Sequence, residues 1–371
     1  MMRPKTVMTI FGTRPEAIKL APVVLEMQQN GRGLVPFVCV TGQHRQMLHQ
    51  VLDWFQITPD RDLQLMQKDQ GLAEFAGRAL ISLNSILKEI KPDAVLVQGD
   101  TTTAMTASMA AFYSRIPIGH VEAGLRTRDL YNPFPEEMNR RITGTVANLH
   151  FAPTDGAATA LLKEQVDPHT VFVVGNTVID ALRLTVARPV GLNLDLPLQG
   201  HRIILVTAHR RENFGAPFES ICSALRDLAD RNDEVQLVYP VHLNPNVKEA
   251  VMRHLSGHPR IHLIEPLRYE QFVHLMSRCD LILTDSGGIQ EEATALGKPT
   301  LVMRSTTERP EAISAGTALL VGTDRDRIVS ETERLLRDED AYRSMASCQH
   351  PFGDGYAARR ILDVLVNLLA R

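Results

Sequence analysis

Thr6-Val7-Met8-Thr9-Ile10-Phe11-Gly12-Thr13-Arg14-Pro15-Glu16-Ala17-Ile18-Lys19 reads as an apolar β-branched run, a glycine turn and the start of a helix. The run is too continuously apolar for a strand with one wet face. It suits a strand buried on both faces, as in a parallel sheet. Gly12 lets the backbone turn closely, and Pro15 at the helix start sacrifices no hydrogen bond. The same unit recurs. Further runs lie at 36–40, 94–97, 116–121 and 149–152, then at 171–174, 203–206, 235–239, 261–264, 281–283, 300–303 and 319–321. Strands alternating with helical patterns predict βαβ units and an α/β protein.

The pattern lapses between 186 and 201, at Pro189, Gly191, Asn193, Pro197 and Gly200, and restarts at Ile203. The expectation is therefore two Rossmann-like, doubly wound parallel-sheet domains, 1–170 and 171–356, which a chain of 371 residues accommodates. Ile361, Leu362, Leu365, Leu368 and Leu369 mark an amphipathic helix over 357–371, which could cap either domain, packing back on the first being one arrangement. Two such domains facing a central cleft would turn both carboxyl sheet edges towards it, and ligands of open α/β sheets bind at that edge.

Composition narrows the function. Forty Lys and Arg against 43 Asp and Glu give a net charge of -3, which argues against nucleic acid as a partner. No apolar run approaches the ~20 residues of a membrane helix, and the N-terminus has no signal-peptide core. Cys39, Cys222, Cys279 and Cys348 form no CxxC pair, so neither a zinc site nor a disulfide framework follows. Reduced thiols in the cytoplasm are expected. There is no GxGxxG either, so no nicotinamide cofactor is implied.

The candidate residues follow the strands. Arg14, at a helix N-terminus, would meet a phosphate together with backbone amides. Asp100, in Gly99-Asp100-Thr101-Thr102-Thr103, is either a helix cap or a working carboxylate. Glu122 follows an apolar strand directly; it must pair with a cation such as Arg126 or titrate with a shifted pKa, and Ala123 and Gly124 leave room for a ligand. Glu136 and Glu137 open a helix with Arg140 and Arg141 one turn on, at i, i+4 spacing. Three carboxylates from one domain suit general acid/base chemistry. In the second half, His209 with Arg210 and Arg211 suits a phosphate-rich ligand. Asp285-Ser286-Gly287-Gly288 runs into a helix whose amides phosphate oxygens can approach, with Glu292 one turn in, placed to accept ribose hydroxyls.

Together the blocks FGTRPEAIK (Phe11 to Lys19), VTGQHR (Val40 to Arg45), GDTTT (Gly99 to Thr103), GHVEAGLRT (Gly119 to Thr127), PEEMNRR (Pro135 to Arg141), GNTVIDAL (Gly175 to Leu182), HRRENFG (His209 to Gly215), YPVHLNPNV (Tyr239 to Val247), DSGGIQEEA (Asp285 to Ala293) and TTERPEA (Thr306 to Ala312) resemble the non-hydrolysing UDP-N-acetylglucosamine 2-epimerases of bacteria. Ala208 and Phe134 depart from the residues more usual there, without loss of a charged group. The resemblance implies a glycosyltransferase-B type fold, a homodimer, and interconversion of UDP-GlcNAc and UDP-ManNAc. The implied route is anti elimination of UDP to 2-acetamidoglucal and syn re-addition, without metal or cofactor. It implies Asp100, Glu122, Glu136 and His209 as catalytic residues. It implies substrate contacts from Arg14, Lys19, Arg140, Phe272, Ser286, Gly287, Gly288 and Glu292. Gln43, Gln46, Arg210 and His242 match an activator site for a second UDP-GlcNAc. The same residues leave open a hydrolysing epimerase that releases free ManNAc and UDP, a retaining glycosyltransferase, and a non-catalytic nucleotide-sugar binder.

Overall fold

The structure, a computed structural model, describes residues 3–42, 45–67, 70–192, 196, 198–347 and 350–369. The chain divides into two compact units, Met1–Leu184 with Phe352–Arg371, and Thr185–Pro351.

The first unit is built on a parallel sheet of β1 (Lys5–Phe11), β2 (Leu34–Val40), β3 (Arg61–Asp62), β4 (Ala94–Gln98), β5 (Ile118–Val121), β6 (Leu149–Ala152) and β7 (Val171–Val173). Their spatial order is β3-β2-β1-β4-β5-β6-β7. In β1, Val7, Met8, Ile10 and Phe11 are completely buried, as a strand covered on both faces requires. Each such side chain withdrawn from water contributes about 1.5–3 kcal/mol before entropy is counted. Strand order reverses between β1 and β4, so the switch point of this sheet lies where Gly12 and Gly99 end their strands.

The second unit carries β8 (Arg202–Thr207), β9 (Val235–Pro240), β10 (Ile261–Ile264), β11 (Leu281–Thr284), β12 (Thr300–Val302) and β13 (Ala318–Leu320). Their order is β10-β9-β8-β11-β12-β13, again parallel. Its core joins Ile204, Val206, Leu237, Leu281 and Leu283 to helical Ile221, Leu225 and Leu228. The switch point here falls between β8 and β11, immediately before His209 and Asp285.

Two expectations are corrected. The run at 171–174 does not begin the second sheet: β7 pairs with β6, from His150↔Val171 to Ala152↔Val173. The division therefore falls at 184/185 and not at 170/171. An edge strand of the first sheet and the first strand of a new one present the same short β-branched run. Only the partner distinguishes them. β3 was not foreseen, because Arg61 and Asp62 offer no apolar signal; pairing with Cys39 and Val40 makes the strand.

The last helix, Ala357–Leu369, belongs to the first unit, packs on the helix Arg14–Asn30 and buries Ile361, Leu362 and Leu365. Asp180 holds its start, accepting from the amides of Ala357 (3.2 Å) and Ala358 (2.8 Å). Burial pushes this carboxyl up to about 6, against those two amides, which favour the charged form. A carboxyl whose pKa is raised on folding adds stability that is full below about pH 4 and is lost as pH rises through about 6. Asp180→Asn removes that dependence. Urea unfolding at pH 4.5 and 7.5 should show the stability of the wild type, measured relative to the variant, falling by about 2 kcal/mol over that interval. A difference independent of pH would show that Asp180 is not raised.

Candidate active site

In the first unit, the amides of Gly12 and Thr13, just before the helix Arg14–Asn30, are already engaged. Glu16, 1% exposed, accepts from Gly12 N (3.0 Å), Thr13 N (2.8 Å), Thr13 Oγ1 (2.8 Å) and Thr101 Oγ1 (2.6 Å). Burial raises the pKa of this carboxyl, although all four donors oppose the shift. The amides of Gly12 and Thr13 are thus taken by the chain's own carboxylate. Arg14 remains half-buried at the helix start.

Asp100 follows β4 but does not cap the next helix. Thr101 does, accepting from Ala104 N at 3.0 Å. Asp100 pairs instead with Arg140, Oδ2 to Nη2 at 2.6 Å, while Asn139 donates to its carbonyl at 2.8 Å. The i, i+4 pair between Glu136 and Arg140 is not formed. Arg140 turns to Asp100 and to Glu137, the latter at 3.3 Å. Glu137 is completely buried and also accepts from Thr127 N, Arg128 N and Arg141 Nε, so it serves to anchor the 127–128 loop. Burial raises its pKa, but these donors outweigh burial and leave it lowered. Glu136, at the first position of the helix Glu136–Val146, is half-buried, and its Oε2 is enclosed without a hydrogen-bond partner.

Glu122 follows β5 with φ +63°, in the left-handed region that residues bearing a Cβ avoid. Its partner is Lys19, not Arg126: Nζ lies 2.6 Å from Oε1 and 2.7 Å from Oε2. Gln98 Nε2 donates to Oε2, and Asn176 Nδ2 to Oε1 at 3.2 Å. Arg126 is taken by Glu164, at 2.8 and 2.9 Å. Lys19, expected as a substrate contact, is in this state the counterion of Glu122. Gly124 does not make room for a ligand. A Cβ there would lie 2.2 Å from the carbonyl oxygen of Ala157, and φ is +93°, so glycine is required by a close backbone approach. Beside Glu122, His120 is buried and its Nε2 donates to Gly99 O (2.8 Å); burial lowers its pKa to about 4, which keeps the ring neutral near pH 7.

In the second unit, Asp285 at the end of β11 is completely buried and organises the loop after β8. Its Oδ2 accepts from His209 N (2.8 Å), Arg210 N (2.8 Å) and Asn213 Nδ2 (3.2 Å). Its Oδ1 lies 3.6 Å from His209 Nδ1. The His209 ring stacks on His242, with centroids 5.1 Å apart and planes 12° from parallel. Burial lowers the pKa of His209, with help from His242 and Arg210 and against Asp285. Ser286 is the N-cap position of the helix Gly287–Ala295, and its side chain makes no capping hydrogen bond. Around Gly288 nothing lies within 4 Å of where a Cβ would be. Near Gly287 the closest groups are Glu308 Oε2 and Arg210 Nη2, at 3.4 and 3.6 Å from the same position. Burial pushes Glu308 up, but Arg304, at 3.0 and 3.2 Å, outweighs it and brings the carboxyl to about 2. Arg304 also binds Glu212 and so ties the loop after β8 to the loop after β12. Glu292 is buried one turn into the helix, and Phe272 is half-buried on the helix Tyr269–Arg278.

The structure therefore brings Asp100, Glu122 and Glu136 to one end of the first sheet with Lys19 and Arg140. It brings His209, Arg210, His242, Ser286, Gly287 and Gly288 to one end of the second. Gln43 and the Gln46 side chain lie outside the described residues. Gln98, Asn176, Arg304 and Asp285 were not singled out from sequence as site residues. A carboxamide ending an apolar strand, as Gln98 does, was the available signal. A cavity of about 600 Å³ in the first unit, lined by Arg141, His150 and Glu164 among others, contains none of the candidate residues. No cluster of three or more His, Cys, Asp or Glu suited to a metal occurs among the described residues.

The family model for UDP-N-acetylglucosamine 2-epimerase matches residues 26–366. The chain is 56% identical over 370 residues to a UDP-N-acetylglucosamine 2-epimerase of Yersinia pestis, covering 97% of this chain and 98% of the relative. To the enzyme of the same name from Bacillus subtilis (strain 168) it is 52% identical over 365 residues, covering 98% and 96%. Among solved structures, UDP-GlcNAc 2-epimerase from Neisseria meningitidis bound to UDP-GlcNAc superposes with a TM-score of 0.90 at 46% identity, covering 98% of this chain and 100% of that one. The S. aureus MnaA–UDP structure gives 0.89 at 47%, covering 99% and 97%. Two parallel-sheet domains and this likeness along the whole chain lead to one conclusion: the chain belongs to the UDP-N-acetylglucosamine 2-epimerase family.

Proposed function

We propose that this chain interconverts UDP-GlcNAc and UDP-ManNAc by inverting C2 without hydrolysing the sugar–phosphate bond. The observation that carries the reading is Glu122, a buried carboxylate held in a disfavoured backbone conformation by an ammonium and two carboxamides at the end of a sheet. Such placement is typical of groups held for chemistry. The names of the relatives, and the UDP-GlcNAc bound in the Neisseria meningitidis structure, support the substrate.

The C2 proton of the sugar is barely acidic, so a free carbanion is too costly. In the proposed step a carboxylate takes that proton as the C1–O bond breaks. The C–H electron pair becomes the C1=C2 bond of 2-acetamidoglucal, and UDP leaves anti with the C–O pair. A diphosphate oxygen then adds back to C1, syn to the proton delivered to the other face of C2. Electrons balance without an oxidant, so no cofactor is required. Asp100, Glu122 and Glu136 are the proposed proton carriers. The helix start at Ser286, Gly287 and Gly288, with His209, is proposed to stabilise the departing diphosphate, and Arg14, Lys19 and Arg140 are assigned as substrate contacts. Phe272 and Glu292 are assigned to the nucleoside, and Arg210 and His242, with Gln43 and Gln46, to an activating second UDP-GlcNAc. The reading also takes the chain to act as a cytoplasmic homodimer without nucleic acid or membrane as partner. No helix among the described residues is long and apolar enough to cross a bilayer.

Incubation with UDP-GlcNAc in D2O tests the proposal. NMR should find both UDP-sugars with deuterium at C2. Free ManNAc with UDP would place the chain among hydrolysing epimerases, and a glycosyltransferase would leave C2 unlabelled.

A further inference from the structure

A carboxylate has no preferred plane of its own; the donors around it choose one. Around Glu122 these come from three separate elements. Lys19 reaches both oxygens, but an ammonium on a flexible stem is a point charge and does not fix a plane. The two carboxamides do: Gln98 donates to Oε2 and Asn176 to Oε1.

Neither carboxamide is free to drift. Gln98 is 3% exposed and closes β4, where its register partner is Val121, the residue before Glu122. Asn176 is 2% exposed and fixed at two further points. Its backbone N–H donates to Phe352 O (2.7 Å), and its Oδ1 accepts from Val178 N (3.1 Å), which leaves Nδ2 aimed at Glu122. The turn that carries it is clamped by Gly175 and Gly353, with φ +94° and +106°. A Cβ on Gly353 would lie 2.9 Å from Gly175 Cα, so the two backbones touch with no room for side chains.

We propose that Gln98 and Asn176 are positioning residues, which set the plane of the Glu122 carboxylate for proton transfer at C2 while adding no charge. This rests on the epimerase reading of Glu122. A backbone held against its own preference persists where the surroundings over-determine it, and these two amides supply that constraint from opposite oxygens.

Asn176→Asp is the discriminating variant. It keeps the acceptor for Val178 N and nearly the same shape, yet it replaces the donor to Glu122 with a carboxylate oxygen. The expected result is a kcat about 100-fold lower, since small misplacement at a reacting group costs that much. KM for UDP-GlcNAc, and UDP affinity by calorimetry, should stay within about threefold, because no substrate contact is touched. Gln98→Met, which leaves the 175–178 turn alone, should lower kcat about tenfold with the same unchanged KM. A folded Asn176→Asp protein with wild-type kcat overturns the proposal. If that variant does not fold, a wild-type kcat in Gln98→Met overturns it. The two readings fail differently. Wild-type protein that exchanges no C2 hydrogen removes the epimerase reading and the positioning role with it. Exchange undiminished in the variants removes the positioning role alone.

Discussion

Glu122→Gln should lower kcat by about 10³-fold or more, the range over which a positioned acid or base acts, and leave UDP affinity within a few-fold. The amide keeps the volume of the carboxylate but cannot take a proton at C2. It also reverses one contact. Both oxygens of Glu122 now accept, from Lys19, Gln98 and Asn176, and an NH2 on either side would face a donor. Asp100→Asn should act in the same direction, because it removes the negative partner of Arg140, 2.6 Å away. The diphosphate is assigned chiefly to groups of the second unit, so UDP titration by calorimetry separates the two functions. Both variants retaining activity, or both losing UDP binding, would reduce these acids to structural roles.

Gly288→Asp should abolish UDP binding in practice, by about 100-fold or more in Kd. The start of the helix Gly287–Ala295, where the N-cap side chain makes no capping hydrogen bond, carries the positive end of the helix dipole, which stabilises an anion. An aspartate at position 288 supplies that anion permanently. Nothing lies within 4 Å of the site of its Cβ, so the fold has space for it, and the melting temperature should hold or rise slightly. A diphosphate would then meet like charge; about 2.7 kcal/mol of lost binding corresponds to the hundredfold change. Gly288→Ala is the control and should bind UDP nearly as the wild type does. Wild-type affinity in Gly288→Asp would move the diphosphate away from this helix.

Much of this arrangement was legible from the chain alone, for a specific reason. A strand covered on both faces must be continuously apolar, and β1, β4, β6, β9 and β11 announce themselves in that way. The residue that follows such a strand in a parallel α/β unit stands at the ligand edge. Asp100, Glu122, His209 and Ser286 could therefore be nominated without coordinates. β7 could not be assigned, because its run carries no mark of which sheet it joins, and β3 had no run at all.

Partner choice was where sequence reasoning failed most often. Spacing offered Arg126 to Glu122, Arg140 to Glu136 and a phosphate to the amides after β1. The folded chain gives Lys19 to Glu122, Arg140 to Asp100, and Glu16 to those amides. Gly124 looked like space and is instead a backbone contact with Ala157. The i, i+4 rule holds for Glu137 and Arg141 on their own helix, but Glu122 and Asp100 take their partners from other elements.

By itself the sequence determined the layered α/β architecture, the count of Rossmann-like units and which polar residues stand at strand ends. Those depend on local hydropathy and on the period of the chain. Only the tertiary structure decided who pairs with whom, which carboxylate anchors a loop, and that β7 and the last helix belong to the first unit. Such choices are made between residues tens or hundreds of positions apart. Burial makes every unmet donor or charge expensive, so the packed fold, and not the spacing along the chain, selects the partner.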